Sequence, residues 1–177
     1  MDDLIISFRG LDADNGHVEA FAGIESAAGL ARALTLIGHY AATGTVRHRF
    51  PFDQGVRFYL EVTEPGSLNW RLKVIAGPLA LGLTTSVLYD VIKLVTARAI
   101  GEDNIVVSQQ VEQLNETRGG DIEALVEAVE PALKKAHYGV GGTAREIVIE
   151  EKTSKKVVIK FDETSKKYLL DNVQGDE

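Results

Sequence analysis

The sequence predicts an α+β fold, a two-layer sandwich in which two helices pack on one face of an antiparallel sheet. Three observations lead to this class. Apolar and polar residues alternate through three segments between residues 45 and 75, a turn at Glu64–Ser67 joins the second segment to the third, and a long apolar helical segment follows immediately. The sheet is expected to contain a hairpin plus a three-stranded meander, and a small C-terminal helix–hairpin–helix appendage completes the prediction.

The N-terminal residues predict the hairpin. Leu4–Arg9 alternates as a strand. Residues 11–16 are rich in Asp, Asn and Gly, which favour a turn because Asp and Asn bond their own backbone and glycine accepts positive φ. Residues 17–22 are therefore expected to return as the second arm.

The first predicted helix runs from Ser26 to Thr43. Ser26 is expected to cap its N-terminus, and Gly44 follows its last residue as a stop signal. Gly29 and Gly38 are costly inside a helix, so each predicts a close approach to another element. The expected buried stripe is Leu30, Leu34, Ile37 and Ala41.

Three strands are predicted next, at Thr45–Phe50, Val56–Thr63 and Leu68–Ile75. In each strand, alternate residues are apolar and share one face. The apolar set comprises Val46, His48, Phe50, Val56, Phe58, Leu60, Val62, Leu68, Trp70, Leu72 and Val74.

The predicted core helix lies within Ile75–Gly101, with Pro78 in its first turn and Gly101 just past its end. Only 16 uncharged residues separate Lys73 from Asp90, whereas a membrane span needs about 20 mostly apolar residues. The segment therefore predicts a core or interface helix and no membrane span. It carries two apolar stripes, one more than a sheet can cover. The first is Leu79, Leu83, Val87, Val91 and Leu94, and the second is Leu81, Leu88, Ile92, Val95 and Ala99. The second is expected to meet the first helix, the C-terminal segment or another chain.

The C-terminal part differs in composition. Up to residue 120 the cations are eight Arg and two Lys, and beyond it they are one Arg and eight Lys. The predicted domains are thus a core at 1–101, a polar linker at 102–120 and a small charged segment at 121–177. That segment would be marginal alone, so it is expected to dock on the core, on a second copy or on further sequence. That segment contains an amphipathic helix from Asp121, strands at residues 145–150 and 155–162, and a helix near residues 163–172.

Charge and composition exclude several functional classes. The net charge of −7 argues against bulk nucleic-acid binding. The absence of cysteine excludes disulfides, thiolate metal sites and cysteine nucleophiles. Two acids near the N-terminus, where a signal peptide would be basic, predict a cytoplasmic protein.

No catalytic or cofactor-binding pattern stands out. The sequence contains no nucleophile elbow, phosphate-binding loop, dinucleotide glycine pattern or zinc-protease helix motif. Its four histidines are scattered, and none has a ligand partner at metal-binding spacing. We therefore expect no catalytic residue, cofactor or metal, and the prediction leans against an enzyme.

One group of residues suggests a binding site. The face of the predicted meander opposite the apolar one carries several arginines and a lysine. Glu61 is the only acidic residue predicted on that face. Guanidinium groups match oxyanions in a bidentate manner, so this face is a candidate anion site. The alternative is the ordinary solvated face of a half-buried sheet. The candidate site residues are Arg47, Arg49, Arg57, Tyr59, Arg71 and Lys73.

Two functions follow as expectations. The first is a non-enzymatic interaction or oligomerisation module of a larger intracellular protein, which associates with itself or with a protein partner through apolar helix surface. The alternative is a sensor of a small anionic ligand, of nucleotide type, that uses the arginine-rich sheet face.

Overall fold

The computed structural model describes residues 3–48, 56–62, 69–80, 82–102, 109–118 and 121–171. Within these ranges the chain forms five strands and five α-helices. In chain order they are β1 Leu4–Arg9, α1 Ala20–Thr43, β2 Val56–Val62, β3 Asn69–Ala76, α2 Thr85–Ala99, α3 Gln109–Arg118, α4 Ile122–Ala136, β4 Glu146–Glu151, β5 Val157–Phe161 and α5 Glu163–Asp171. Short 3-10 helices lie at Leu11–Asn15, Pro78–Ala80 and His137–Gly139.

The five strands form one antiparallel sheet in the order β2-β3-β1-β4-β5. The N-terminal strand β1 is central. Leu4 pairs with Leu72 of β3 on one side and with Glu151 of β4 on the other. The helices pack on this sheet, which confirms the predicted two-layer α+β class.

One face of the sheet carries the core, as the alternation predicts. On β1, Leu4, Ile6 and Phe8 are buried. Phe8 makes an edge-to-face contact with Trp70 of β3, with ring centroids 5.1 Å apart. The predicted faces of β2 and β3 are correct where side chains are described, since Val56, Leu72 and Val74 are also buried.

The helix α1 passes close to two other elements, and its glycines allow both approaches. A Cβ on Gly29 would lie 2.5 Å from the carbonyl oxygen of Ala132 and would also overlap the backbone nitrogen of Ala136, both in α4. A Cβ on Gly38 would lie 2.9 Å from the Val56 side chain of β2. The close approaches predicted at Gly29 and Gly38 are confirmed.

The predicted N-terminal hairpin is wrong. Both neighbours of β1 come from later in the chain, and residues 11–15 form a 3-10 helix. The Asp14 carboxylate accepts a 2.6 Å hydrogen bond from the Gly10 nitrogen, so the turn-forming residues close a short local loop instead of joining two strands.

The helix α1 begins six residues before its predicted cap. Glu19 caps it by accepting hydrogen bonds from the Phe21 and Ala22 nitrogens, at 3.1 and 2.7 Å. Ser26 is therefore inside the helix and fully buried. Its hydroxyl accepts a 2.8 Å hydrogen bond from the Gly139 nitrogen, so it joins α1 to the segment after α4.

Two further boundaries differ from the prediction. Residues 45–48 are not a strand, and residues 49–50 lie outside the described ranges. The apolar segment after β3 starts with a 3-10 turn at Pro78–Ala80. The helix α2 begins only at Thr85, where the Thr84 hydroxyl accepts from the Val87 nitrogen at 3.4 Å.

The C-terminal residues belong to the same sheet and core as the N-terminal ones. β4 pairs with β1, and β5 extends the sheet beyond β4. Buried residues of α4, β4 and β5 join those of β1, α1 and α2 in one hydrophobic cluster. Residues 121–171 are thus integrated into the fold and do not form an appendage beside residues 1–101.

This integration covers the second apolar stripe of α2. The helix packs against α1, α4 and β5. Leu88, Ile92 and Val95 of one stripe and Val91 of the other are all fully buried. Of these partners, α4 and β5 come from the C-terminal segment, one of the alternatives that the sequence left open.

Among the described helices, α1 is long and apolar enough by length and composition to cross a membrane. Those two criteria are weak evidence, because a central core helix meets them as well. Leu34 and Ile37 near its middle are fully buried against the rest of the fold. This burial is the pattern of a core helix.

We predict that Gly29→Ala destabilises the protein by about 1–3 kcal/mol, because the new methyl group overlaps the α4 backbone. Helix propensity alone would give the opposite sign, a gain of up to about 1 kcal/mol. Urea unfolding measures the difference. Gly142→Ala is the control, since no heavy atom lies within 4 Å of a Cβ at that position. A neutral or stabilising Gly29→Ala would contradict the close approach.

Candidate functional site

The structure brings four of the six predicted anion-site residues onto one surface. Arg57 and Tyr59 of β2 lie beside Lys73 of β3 on the sheet face away from the helices, with Arg71 in the adjacent row. The Arg57 guanidinium carbon is 6.0 Å from the centroid of the Tyr59 ring. Two members are elsewhere. Arg47 follows α1 in a non-strand segment, and Arg49 lies outside the described residues.

Acidic side chains pair with the β3 cations of this face. Arg71 donates to Asp3 from Nε at 2.8 Å, forms a second ion pair with the same carboxylate, and lies 3.3 Å from Glu61. The hydrogen bond to Asp3 raises the pKa of Arg71 above its usual value. Lys73 is 4.0 Å from Glu61. These contacts compensate much of the positive charge that suggested an anion site.

Asp3 was missed by the sequence reasoning. It sits just before β1, and it meets Arg71 only because β1 pairs with β3. Farther along the same face, Arg9 pairs with Glu150 and Lys160 with Glu146, each at 3.2 Å. The open face of the sheet thus carries both acidic and basic residues, which form ion pairs across the strands.

A buried Ser–His pair lies where α4 meets α5. His137 Nδ1 is 2.7 Å from the Leu133 carbonyl oxygen, which can only accept, so Nδ1 carries the proton. His137 Nε2 then accepts from the Ser165 hydroxyl at 2.8 Å, and the single proton of that hydroxyl is shared with the Asp162 carbonyl oxygen at 2.9 Å. Burial lowers the pKa of His137 below its ordinary value and keeps the ring neutral.

This pair joins two helices and does not form an accessible nucleophile. Ser165 is buried, and its hydroxyl also accepts from the Asp162 nitrogen at 2.9 Å. The Asp162 carboxylate in turn accepts from the Thr164 and Ser165 nitrogens at 3.0 and 3.1 Å, which caps α5. The Leu133 carbonyl takes the position that a catalytic carboxylate would occupy beside Nδ1.

The most exposed large apolar side chains lie on the opposite side of the molecule from the sheet's open face. Phe21, Ile24, Tyr138 and Leu170 have exposed fractions of 64, 67, 51 and 53%, and we call these four residues the apolar patch. The rings of Phe21 and Tyr138 are in edge-to-face contact, with centroids 6.2 Å apart. Ile24 follows Phe21 by three residues on α1 and therefore shares its face.

A cavity of about 340 Å³ extends the apolar patch between α4 and α5. Tyr138 and Leu170 line it together with Leu169. His137 and three lysines complete the lining, the lysines being Lys134, Lys135 and Lys166.

Charges of opposite sign flank the apolar patch. The first turns of α1 carry Glu19 and Glu25, whereas the α4–α5 side carries the cavity lysines. Lys135 reaches Glu25 at 3.2 Å. Lys166 donates to the Val140 carbonyl oxygen at 2.6 Å, which holds its ammonium group beside the cavity.

Comparison with known families gives one match, to a domain of unknown function, DUF7946. The family profile covers residues 4–170. The chain belongs to this family. The match spans both sides of residues 102–120, in agreement with a sheet that combines strands from both sides.

No curated protein and no solved structure matches this DUF7946 domain. Among the described residues, no group of three or more His, Asp or Glu side chains could hold a metal ion.

Sequence reasoning did not find the apolar patch. The predicted hairpin places Phe21 in its second strand, whereas the structure places it on the exposed side of α1. Tyr138 is 117 positions away in the sequence, and no local pattern links the two rings. The one available signal was Phe21 and Ile24 at helical spacing ahead of Ser26.

We predict that the DUF7946 domain loses stability as the pH falls below about 6.5. Burial lowers the pKa values of His137 and His39, so the unfolded chain binds protons that the folded chain does not. Stability is thus fully present above pH 6.5 and declines toward the folded-state pKa values, by at most about 1.4 kcal/mol per pH unit for each histidine. Urea unfolding between pH 7.5 and 5 measures this loss.

The matched variants are His137→Gln and His17→Gln. The first removes one buried titrating ring and should flatten the pH profile, whereas His17 is exposed and its variant should keep the wild-type profile. Equal slopes for wild type and His137→Gln would contradict the assignment.

Proposed function

We propose that this DUF7946 domain is a non-enzymatic interaction module, and that it self-associates through the apolar patch. The observation that carries the proposal is the patch itself, four large apolar side chains more than half exposed on one continuous surface. Contiguous exposed apolar surface of this kind marks interaction sites, because leaving it in water is unfavourable. We propose the cytoplasm as the setting, from the composition of the chain.

The charges around the apolar patch favour a second copy of the domain as the partner. A two-fold axis through the patch brings the α1 side of one protomer against the α4–α5 side of the other. Glu19 and Glu25 would then face the lysines beside the cavity, in both directions at once. Lys135 pairs with Glu25 and Lys134 with Glu130 inside one protomer, so a dimer would exchange these partners for the same charges of the second copy. Such complementarity orients the two copies and speeds their encounter.

The alternative, a sensor of small anions, has less support. Its sheet face retains Arg57 over the Tyr59 ring, but Arg71 and Lys73 are occupied by acids of the same surface. An incoming anion would have to displace those carboxylates and compete with them. We keep this function as the second candidate.

We predict a concentration-dependent dimer that the double variant Phe21→Ser, Ile24→Ser weakens at least about tenfold. Each substitution removes a large apolar side chain from the proposed contact. Sedimentation velocity over a wide concentration range measures the dissociation constant. Both residues are exposed, so the midpoint of thermal unfolding of the monomer should change little.

The control variant is Leu11→Ser, which removes an exposed aliphatic side chain that is not part of the apolar patch. It should dimerise like the wild type. A wild-type protein that stays monomeric at all concentrations, or a dimer that the double variant leaves intact, would overturn the proposal. Binding of inorganic phosphate or nucleotide that Arg57→Glu abolishes would instead support the second candidate.

A further inference from the structure

A second cavity lies between α2 and the edge strand β5. Its volume is about 260 Å³. One wall is the last turns of α2 with Ile100 and Glu102, and the other is formed by residues 157–160 of β5. It lies apart from both surfaces considered so far: its lining shares no residue with the apolar patch or with the predicted anion site.

The hydroxyl of Thr96 in this cavity has no hydrogen-bond partner within the described parts of the chain. Thr96 is only 2% exposed, so its hydroxyl has little contact with bulk water. A helical threonine commonly satisfies its hydroxyl by bonding a carbonyl one turn back, as Thr35 does to the Ala31 oxygen at 2.7 Å. A buried hydroxyl left unpaired is unfavourable and is rare in native proteins.

A lysine lies one turn before Thr96 on the same lining. Lys93 is half-buried, and no ion pair joins it to a described residue. Lys160, on the opposite wall, differs: it lies 3.2 Å from Glu146 and 3.5 Å from Asp162. The Lys93 ammonium group is therefore the cation of this cavity that is available to a ligand.

The remaining lining limits the ligand. Ala97, Ile100 and Val157 present apolar surface, and Val157 is 47% exposed at the rim. Glu102 follows the C-terminus of α2, about two turns beyond Thr96, and would repel a second negative charge there. The volume lies just below the range of about 300–1,000 Å³ that is usual for drug-sized ligands.

We infer that this cavity binds a small aliphatic monocarboxylate. One carboxylate oxygen pairs with the Lys93 ammonium group, and the other accepts the hydrogen bond that Thr96 now lacks. The hydrocarbon part, of about four to eight carbons by the cavity size, packs on Ala97, Ile100 and Val157. A dicarboxylate or a nucleotide is disfavoured by Glu102 and by volume.

An added peptide strand fits the cavity less well. The pairing of β5 shifts register between Ile149 and Glu150, next to Val157. Such an irregularity at an edge hinders the regular ladder that an incoming strand needs.

The experiment uses butyrate, isovalerate, hexanoate and octanoate at fixed pH and ionic strength, with succinate and hexanamide as matched probes. Titration calorimetry gives the dissociation constants, and thermal unfolding gives the shift in midpoint. At least one monocarboxylate should raise the midpoint, whereas succinate and the neutral amide should not.

Two cavity variants test the assigned contacts. Lys93→Gln should weaken the best monocarboxylate about tenfold, while Lys167→Gln, at an exposed lysine of α5 outside the cavity lining, should leave binding unchanged. Thr96→Val should also weaken binding, yet it should raise the midpoint of the ligand-free protein by about 2–4 °C, because it removes an unpaired buried hydroxyl. This opposite movement of stability and affinity is the signature of a binding residue.

The inference would be overturned if no monocarboxylate binds, or if Lys93→Gln and Lys167→Gln bind equally well. A Thr96→Val protein that is less stable than the wild type would overturn the role of Thr96, since its hydroxyl would then be partnered. Glu102→Gln supplies a further check. It should let succinate bind where the wild-type protein excludes it.

Discussion

The close approach of α1 and α4 is the contact on which the rest of the structure depends. The two helices run antiparallel, with Gly29 against the backbone of Ala132 and Ala136. Ser26 extends the contact by accepting from the Gly139 nitrogen inside the protein. A side chain at position 29 would push the helices apart, and the layer that covers the sheet would no longer fit it. The helix layer therefore has little freedom in how it covers β1, β3 and β4.

The central position of β1 has a related consequence. The N-terminal strand pairs with residues about 65 and 145 positions later in the chain, so the sheet cannot be completed before β4 is available. The pairing of β1 with β3 also brings Asp3 next to Arg71, so an acidic and a basic residue of the open face form an ion pair. The sequence predicted a cationic surface with unpaired arginines. In the folded protein, part of that positive charge is neutralised by ion pairs with acidic residues.

The two proposed binding regions have different physical origins. The apolar patch arises at element ends, where the first turns of α1 meet the short helix after α4, so large side chains extend beyond the layer that covers them. The cavity at Thr96 arises inside the layer, where α2 and β5 do not fill the space between them. The first is suited to a broad partner surface and the second to a small molecule.

The sequence by itself determined the class of the fold and much of its local structure. Alternation predicted the faces of β2 and β3, and the amphipathic pattern after Asp121 predicted α4, in which Leu125, Val129 and Leu133 are buried. The strand and helix predictions after residue 145 agree with β4, β5 and α5. The position of Gly29 inside a helix also predicted a close approach, although the sequence did not identify the neighbouring element. These features could be predicted because periodicity, capping and the destabilising effect of glycine inside a helix depend on residues close together in the sequence.

Only the tertiary structure decided which elements are neighbours. Nothing near Leu4 indicates that β1 lies between β3 and β4, and nothing near Phe21 indicates Tyr138 as its contact. The unpaired Thr96 hydroxyl is likewise invisible in a sequence, since any helical threonine can bond its own helix. The pairing of strands more than 60 residues apart depends on the packing of the whole core. That packing produces no pattern within a short stretch of sequence.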